Sequence, residues 1–216
     1  MGFVVAIDGP AASGKGTIAA RLGAALGLPV LDTGLLYRAT AAAVMCAGAD
    51  LDDERACAWA ARHLDLDDLA NPALRTGAMG EAASRVAVHA AVREALIAAQ
   101  RRFAAREPGA VLDGRDIGTV ISADAAAKIY VTATPEARAR RRWRQLIGQG
   151  EEVGYEDILT DIRARDARDG GRASAPMRPA PDAVLLDTTD LSIDAAFEAA
   201  RRIVEAARAR SDQSLR

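Results

Sequence analysis

Apolar and polar positions follow two regimes along this chain. Five short apolar runs, Phe3–Ile7, Val30–Asp32, Ala110–Asp113, Lys128–Thr132 and Ala183–Asp187, predict buried strands. Between them, apolar residues recur at helical spacing. Lys15–Leu26 predicts a helix stopped by Gly27 and Pro29, and residues 35 to about 47 predict a second, closed by Gly48. Asp50, Asp52 and Asp53 offer caps for a third helix reaching about Arg62, and residues 64–80, with Asn71-Pro72 and two glycines, predict a loop. One long helix is expected from about Met79 to Arg106, ended by Glu107-Pro108-Gly109. Helical stretches at 137–144 and 155–172 follow, joined through Gly148-Gln149-Gly150, and the last helix, 193 to about 209, precedes a tail at 211–216 expected to fray. The chain shows no internal repeat. Helices between strands throughout predict an α/β fold, with a five-stranded parallel sheet flanked by helices on both faces. Three of the strands end in aspartate, at Asp8, Asp113 and Asp187, and ligands of such sheets sit beyond the carboxyl ends of the strands.

Composition narrows this picture. The 216 residues are 50% hydrophobic but only 4% aromatic, which predicts a single domain with an aliphatic core. No apolar run is long enough to span a bilayer, and Met1-Gly2 leads straight into a strand, so a cytoplasmic protein with no membrane partner is expected. Cys46 and Cys57 lack CxxC spacing and are expected to be buried thiols; His63 and His89 are expected to be surface or packing residues. A net charge of -2 argues against a general nucleic-acid binder, although local arginine clusters can still hold an anion.

The strongest chemical signal is Gly9-Pro10-Ala11-Ala12-Ser13-Gly14-Lys15-Gly16-Thr17, between the first strand and the first helix. Two glycines at this spacing let successive N–H groups turn inward onto phosphate oxygens, the helix adds its positive end, and Lys15 adds a cation. Only Lys15 and Lys128 are lysines among the 28 basic residues, so an arginine-rich chain keeps its compact ammonium in the loop. Gly16 stands where a Ser or Thr usually ligates Mg²⁺, which shifts that role to the hydroxyl of Thr17.

Arginines gather behind this loop. Arg38 follows the second strand, Arg93 lies in the long middle helix, Arg115 follows the third strand, and Arg165, Arg168 and Arg172 lie near Gly170-Gly171, with Arg165 and Asp169 on one helix face. A phosphoryl-transfer site needs several forked cations of this kind. The run Ala137–Arg144 and the helix from Tyr155 read as the arms of a mobile lid joined through Gly148-Gln149-Gly150, with some of these arginines facing the bound phosphates, in preference to a nucleic-acid patch.

Taken together, the loop, Leu31-Asp32-Thr33-Gly34 with Tyr37-Arg38, Ala83-Ser84 with Val92-Arg93-Glu94, Asp113-Gly114-Arg115-Asp116-Ile117-Gly118-Thr119-Val120, and Arg165-Asp166-Ala167-Arg168-Asp169 with Arg172 resemble bacterial cytidylate kinases. The resemblance implies a P-loop kinase fold with a core at 1–32, 107–136 and 181–210, a nucleotide-monophosphate-binding segment at about 33–106 and a mobile lid at about 137–180. It implies ATP as donor with Mg²⁺, CMP and dCMP as acceptors, and a monomer. By the same resemblance Gly9–Thr17 hold the ATP phosphates, and Thr33, Arg93 and Asp116 read the cytosine. Ser84, Arg165 and Asp169 hold the pentose; Arg38, Arg115 and Arg172 grip the acceptor phosphate; Asp113 and Gly114 complete the acceptor-side string, and Lys15, Arg115, Arg165 and Arg172 are the catalytic cations. The chain departs from the family in a short stretch between His63 and Ser84 and in Gly170-Gly171, where polar residues are usual. A kinase of UMP, AMP or shikimate and a nucleotide-dependent switch stand as alternatives; Asp116 and Arg93 favour cytosine among the kinases, and the spread of arginines argues against a switch.

Overall fold

The computed structural model describes residues 2–65, 67–173 and 175–214. Five strands form one sheet in the order β2-β3-β1-β4-β5: β1 Phe3–Asp8, β2 Val30–Asp32, β3 Gly109–Gly114, β4 Ala127–Thr132 and β5 Val184–Asp187. All run parallel, with β1 in register against β3 from Phe3↔Gly109 to Asp8↔Gly114 and against β4 from Val5↔Ala127 to Asp8↔Tyr130. The chain thus leaves every strand at the same edge, where the phosphate-type loop and the Asp113–Val120 string both begin.

The chain falls into two compact units, Met1–Leu31 with Phe103–Arg216, and Asp32–Arg102. In the first, helices α1 (Lys15–Leu26) and α8 (Ile193–Ser214) lay Ile18, Ala19, Leu22, Ala196, Ala200 and Val204 on Val5, Ile7, Val111, Ile129 and Val131 of the sheet. Alternate strand residues Ala6, Ala110 and Leu112 are wholly buried as well, so the central strands are covered on both faces, as their continuous apolar runs require. Helices α6 (Pro135–Gly148) and α7 (Tyr155–Gly170) form an antiparallel pair closed by Ala139, Leu146, Ile158, Leu159 and Ile162. The second unit contains α2 (Thr33–Cys46), α3 (Glu54–Arg62), two 3₁₀ turns (Asp67–Ala70 and Pro72–Arg75), α4 (Gly77–Val86) and α5 (Ala90–Ala104). No helix among the described residues is long and apolar enough to cross a membrane.

Several expectations are corrected. The single helix expected from Met79 to Arg106 is two, α4 and α5, with Ala87-Val88-His89 between them. Buried Val86 and Val92 are six apart, which no 3.6-residue helix places on one face, and His89 Nε2 bonds instead to Leu51 O at 2.9 Å. The stretch 64–80 is not plain loop: the Asn71 side chain caps a 3₁₀ turn, and the Thr76 hydroxyl accepts from Met79 N to start α4 two residues earlier than expected. The described tail does not fray, because α8 runs on to Ser214; residues 215 and 216 lie outside the described residues. Strands β2 and β5 are the outer strands, with Val30, Val184 and Leu185 exposed, where buried strands were expected. Of the two free cysteines Cys57 is buried but Cys46, at the end of α2, is exposed.

Candidate functional site

The loop after β1 owes its path to backbone conformations that few residues accept. Gly9 has φ 146°, and a Cβ there would lie 2.0 Å from Val131 O, so only glycine lets β1 leave the sheet this close to β4. Ala12 and Gly14 follow at φ 59° and 93°. Such alternation of left- and right-handed residues turns successive N–H groups to one side and makes an anion-binding concavity. Gly14 also opens α1 without a side-chain cap, which leaves the first-turn N–H groups to a ligand. The outward-facing carbonyls are fastened instead: Ala11 O accepts from Arg138 Nη1 at 3.2 Å, and Ser13 O accepts from Thr188 Oγ1 at 2.9 Å and Arg141 Nη1 at 3.3 Å. The Ser13 hydroxyl is buried and has no hydrogen-bond partner among the described residues.

Two carboxylates, Asp8 and Asp113, stand at the ends of β1 and β3. Asp113 Oδ1 lies 3.6 Å from Lys15 Nζ, and its Oδ2 would touch a Cβ at Gly16, 3.2 Å away. The residue next to Asp113 is therefore Gly16, while the Thr17 side chain is exposed. Asp8 is 4% exposed and accepts from Ile117 N and Gly118 N, each at 2.7 Å. It thereby pins the π-helical turn Ile117–Ile121 that follows Arg115 and buried Asp116. Burial pushes the Asp8 carboxyl up from 3.8 to about 6 against the pull of those two N–H groups, with further repulsion from Asp116 and Asp113.

The second cluster is built on α7. Asp169 is 1% exposed; its Oδ2 accepts from Arg115 Nε at 3.0 Å, its Oδ1 pairs with Arg172, and Arg165 Nε stands 4.0 Å from Oδ2. Burial alone would raise the pKa of this carboxyl, but Arg115, Arg172 and Arg165 outweigh it and hold the group below the ordinary carboxylate range. Three guanidiniums around one carboxylate leave the cluster with surplus positive charge, which suits a phosphate. The structure thus brings Arg115, Arg165, Asp169 and Arg172 together, and separately Lys15 with Asp113.

Within the second unit, Thr33 is buried at the first position of α2, where Asp32 caps the helix by accepting from Gly34 N at 3.0 Å. Arg38 donates from Nη1 to Leu74 O at 2.6 Å and Thr76 O at 3.1 Å. The guanidinium of buried Arg93 lies 5.9 Å from the Tyr37 ring centroid. Ser84 is buried in α4, and its hydroxyl has no hydrogen-bond partner among the described residues, a polar atom kept dry at some cost.

Sequence reasoning missed two features. Asp8 was read as a strand end and not as the anchor of the Ile117–Ile121 turn. Arg138 and Arg141 were grouped with the other lid arginines, although their i, i+3 spacing already places them on one helix face; both turn onto the loop carbonyls.

The residues present fit a magnesium nucleotide. Mg²⁺ in such sites takes one or two protein groups and fills the rest of its octahedron with phosphate oxygens and water, so the Asp113 carboxylate, beside Lys15 and Gly16, suffices as a protein group at the loop. The positive-φ backbone and Lys15 match the triphosphate.

The family model for cytidylate kinase matches residues 5–207. A cytidylate kinase of Caulobacter vibrioides is 65% identical over 210 residues, which cover 97% of this chain and 99% of that protein. One from Xanthobacter autotrophicus is 62% identical over 207 residues, covering 96% and 99%. Among solved structures, an uncharacterized protein from Eubacterium ventriosum superposes with a TM-score of 0.52 at 13% identity, over 94% of this chain and 98% of that one, a likeness of fold alone.

Proposed function

The chain belongs to the cytidylate kinase family, and from that premise we propose that it transfers the γ-phosphoryl group of ATP to CMP and dCMP, giving ADP with CDP or dCDP. The observation that carries the reading is the loop itself: a backbone concavity with Lys15 beside Asp113 at the carboxyl edge of a parallel sheet.

The chemistry asks little of acid–base groups. The attacking atom is a phosphate oxygen, already anionic at neutral pH, so catalysis consists of alignment and charge compensation. Loop N–H groups and Lys15 hold the donor phosphates. Asp113 and Thr17 are the residues that would hold Mg²⁺, which would supply charge compensation on the phosphate oxygens. Arg115, Arg165 and Arg172 lie around Asp169, already desolvated, so they meet developing charge with little reorganisation. We assign the pentose to Ser84, Arg165 and Asp169, the acceptor phosphate to Arg38, Arg115 and Arg172, and the base to Thr33, Arg93 and Asp116, with Asp113 and Gly114 leading into that string. A carboxylate accepts from the amino group of cytosine, whereas the uracil carbonyl would meet it acceptor to acceptor. In domain terms, residues 1–32, 107–136 and 181–210 serve as the core, about 33–106 as the monophosphate-binding segment and about 137–180 as the lid, in a monomeric cytoplasmic enzyme.

Steady-state phosphorylation of CMP, dCMP, UMP and AMP with Mg·ATP tests the reading. CMP is expected to exceed UMP by roughly ten- to a hundred-fold in kcat/KM, the worth of one buried mismatch, and Asp116→Asn, which can also donate, to narrow that gap. Equal use of UMP or AMP, or a ratio unmoved by Asp116→Asn, refutes the assignment of the base.

A further inference from the structure

Arg138 lies on α6 at 2% exposure. A guanidinium does not escape burial by losing its proton, so its neighbours must compensate it. Three separate parts of the chain do so. Nε donates to Ala133 O at 2.9 Å, at the exit of β4. Nη1 donates to Ala11 O at 3.2 Å in the phosphate loop. Nη1 and Nη2 together fork onto the two carboxylate oxygens of Asp166 on α7, at 3.0 and 2.5 Å. Beside this link the Ala12 side chain packs on the apolar cluster between α6 and α7. Asp166 directly follows Arg165 and lies within one turn of Asp169, so the helix that Arg138 grips is the one that presents the arginine cluster.

We propose that Arg138 is a positioning residue: through the Ala11 carbonyl and the Asp166 carboxylate it fixes the phosphate loop relative to the lid helix that carries Arg165 and Asp169, while touching no substrate itself. This rests on the kinase reading above. In-line transfer needs reacting atoms brought to about 3–3.5 Å with their orbitals aligned, and a displacement of about 1 Å can cost on the order of a hundred-fold in rate. A forked pair fixes rotation as well as distance, and a lysine ammonium, a point donor on a flexible stem, does not. Arg141, three residues along the same face, straps Ser13 O and Thr188 Oγ1 and adds a second tie to the loop. The burial of Arg138 also removes it from any nucleic-acid surface.

The variants Asp166→Asn, Arg138→Lys and Arg138→Met, assayed with Mg·ATP and CMP, test the proposal. The expected result is a kcat lowered about ten- to a hundred-fold in Arg138→Met and Asp166→Asn, with KM for both substrates within about threefold. Arg138→Lys should recover part of the loss. The double variant should be no slower than Arg138→Met alone, because both changes remove one link. Hydrogen–deuterium exchange in the Gly9–Thr17 segment should rise in Asp166→Asn, a readout that needs no turnover. Should Arg138→Met fail to fold, Asp166→Asn and Arg138→Lys carry the test, since Asp166 is already partly exposed. A lowered thermal midpoint with unchanged kcat and unchanged loop exchange would mean an ordinary structural ion pair and overturns the proposal. Wild-type protein that does not phosphorylate CMP overturns the kinase reading instead, and the loop exchange still judges the latch.

Discussion

Asp8→Asn isolates one buried charge and makes a quantitative demand on the fold. The carboxyl is pushed up from 3.8 to about 6, first by burial and then by the repulsion of Asp116 and Asp113, against the two N–H groups of Ile117 and Gly118. A carboxyl with a raised pKa in the folded state binds more protons folded than unfolded between those two values, so its contribution to stability falls as pH rises through that window and is recovered on acidification. At about 1.4 kcal/mol per pH unit the whole effect is roughly 3 kcal/mol, of which about 1.4 kcal/mol is already present at pH 5. Asparagine keeps the shape and does not titrate. The wild type should therefore gain about 1.4 kcal/mol relative to Asp8→Asn between pH 7.5 and pH 5. Urea unfolding followed by far-ultraviolet circular dichroism at the two pH values measures this as a double difference, in which every other titrating group common to both proteins largely cancels. A wild-type advantage that is constant across the interval, or that shrinks on acidification, refutes the reasoning, because it would mean that Asp8 is solvated or compensated by a cation.

Two further outcomes follow from the site. Lys15→Ala should fold normally, as judged by circular dichroism, yet lose on the order of a thousand-fold in kcat; near-normal turnover would remove the loop from the chemistry. Asp169→Ala strands Arg172 and Arg115, whose side chains are 5% and 17% exposed, and should cost about 3–5 kcal/mol in urea unfolding. It should also raise the KM for CMP and lower kcat while sparing the KM for ATP; equal effects on both substrates would make Asp169 a lid strut.

The strands and the loop were legible in the sequence because their signals are local. An apolar run bounded by breakers reads as a strand whatever packs on it, although the burial of the outer strands β2 and β5 did not follow from it, and Gly9, Gly14 and Lys15 carry their meaning in their spacing. The break between α4 and α5 was less legible, since Ala87-Val88-His89 contains neither glycine nor proline and the contact His89 makes there, with Leu51 O, is distant in sequence. What lay beyond reach was pairing at long range. Asp8 meets Ile117 and Gly118 from more than a hundred residues away, and Arg138 meets Ala11 across a similar separation. Composition shows that an arginine is present, not which carbonyl it will hold. The resemblance to a family supplied roles for Thr33, Arg38, Ser84 and Arg93, but not the carbonyls of Leu74 and Thr76 that engage Arg38 here.

The scarcity of lysine has a consequence for how this protein meets electrophiles. Its only two side-chain amines, Lys15 and Lys128, are 8% and 9% exposed. Lys128 Nζ is bound to both oxygens of Asp182, at 2.9 and 2.7 Å, and Lys15 lies against Asp113. Acyl donors and activated esters, which consume unprotonated exposed amines, therefore find an almost inert side-chain surface, because guanidinium is too weak a nucleophile to substitute for ammonium chemistry. The one amine that such a reagent reaches at the loop is the one a nucleotide would shield. Suppression of the slow acylation of Lys15, read apart from that of the chain's more reactive α-amine, would therefore report occupancy of the loop.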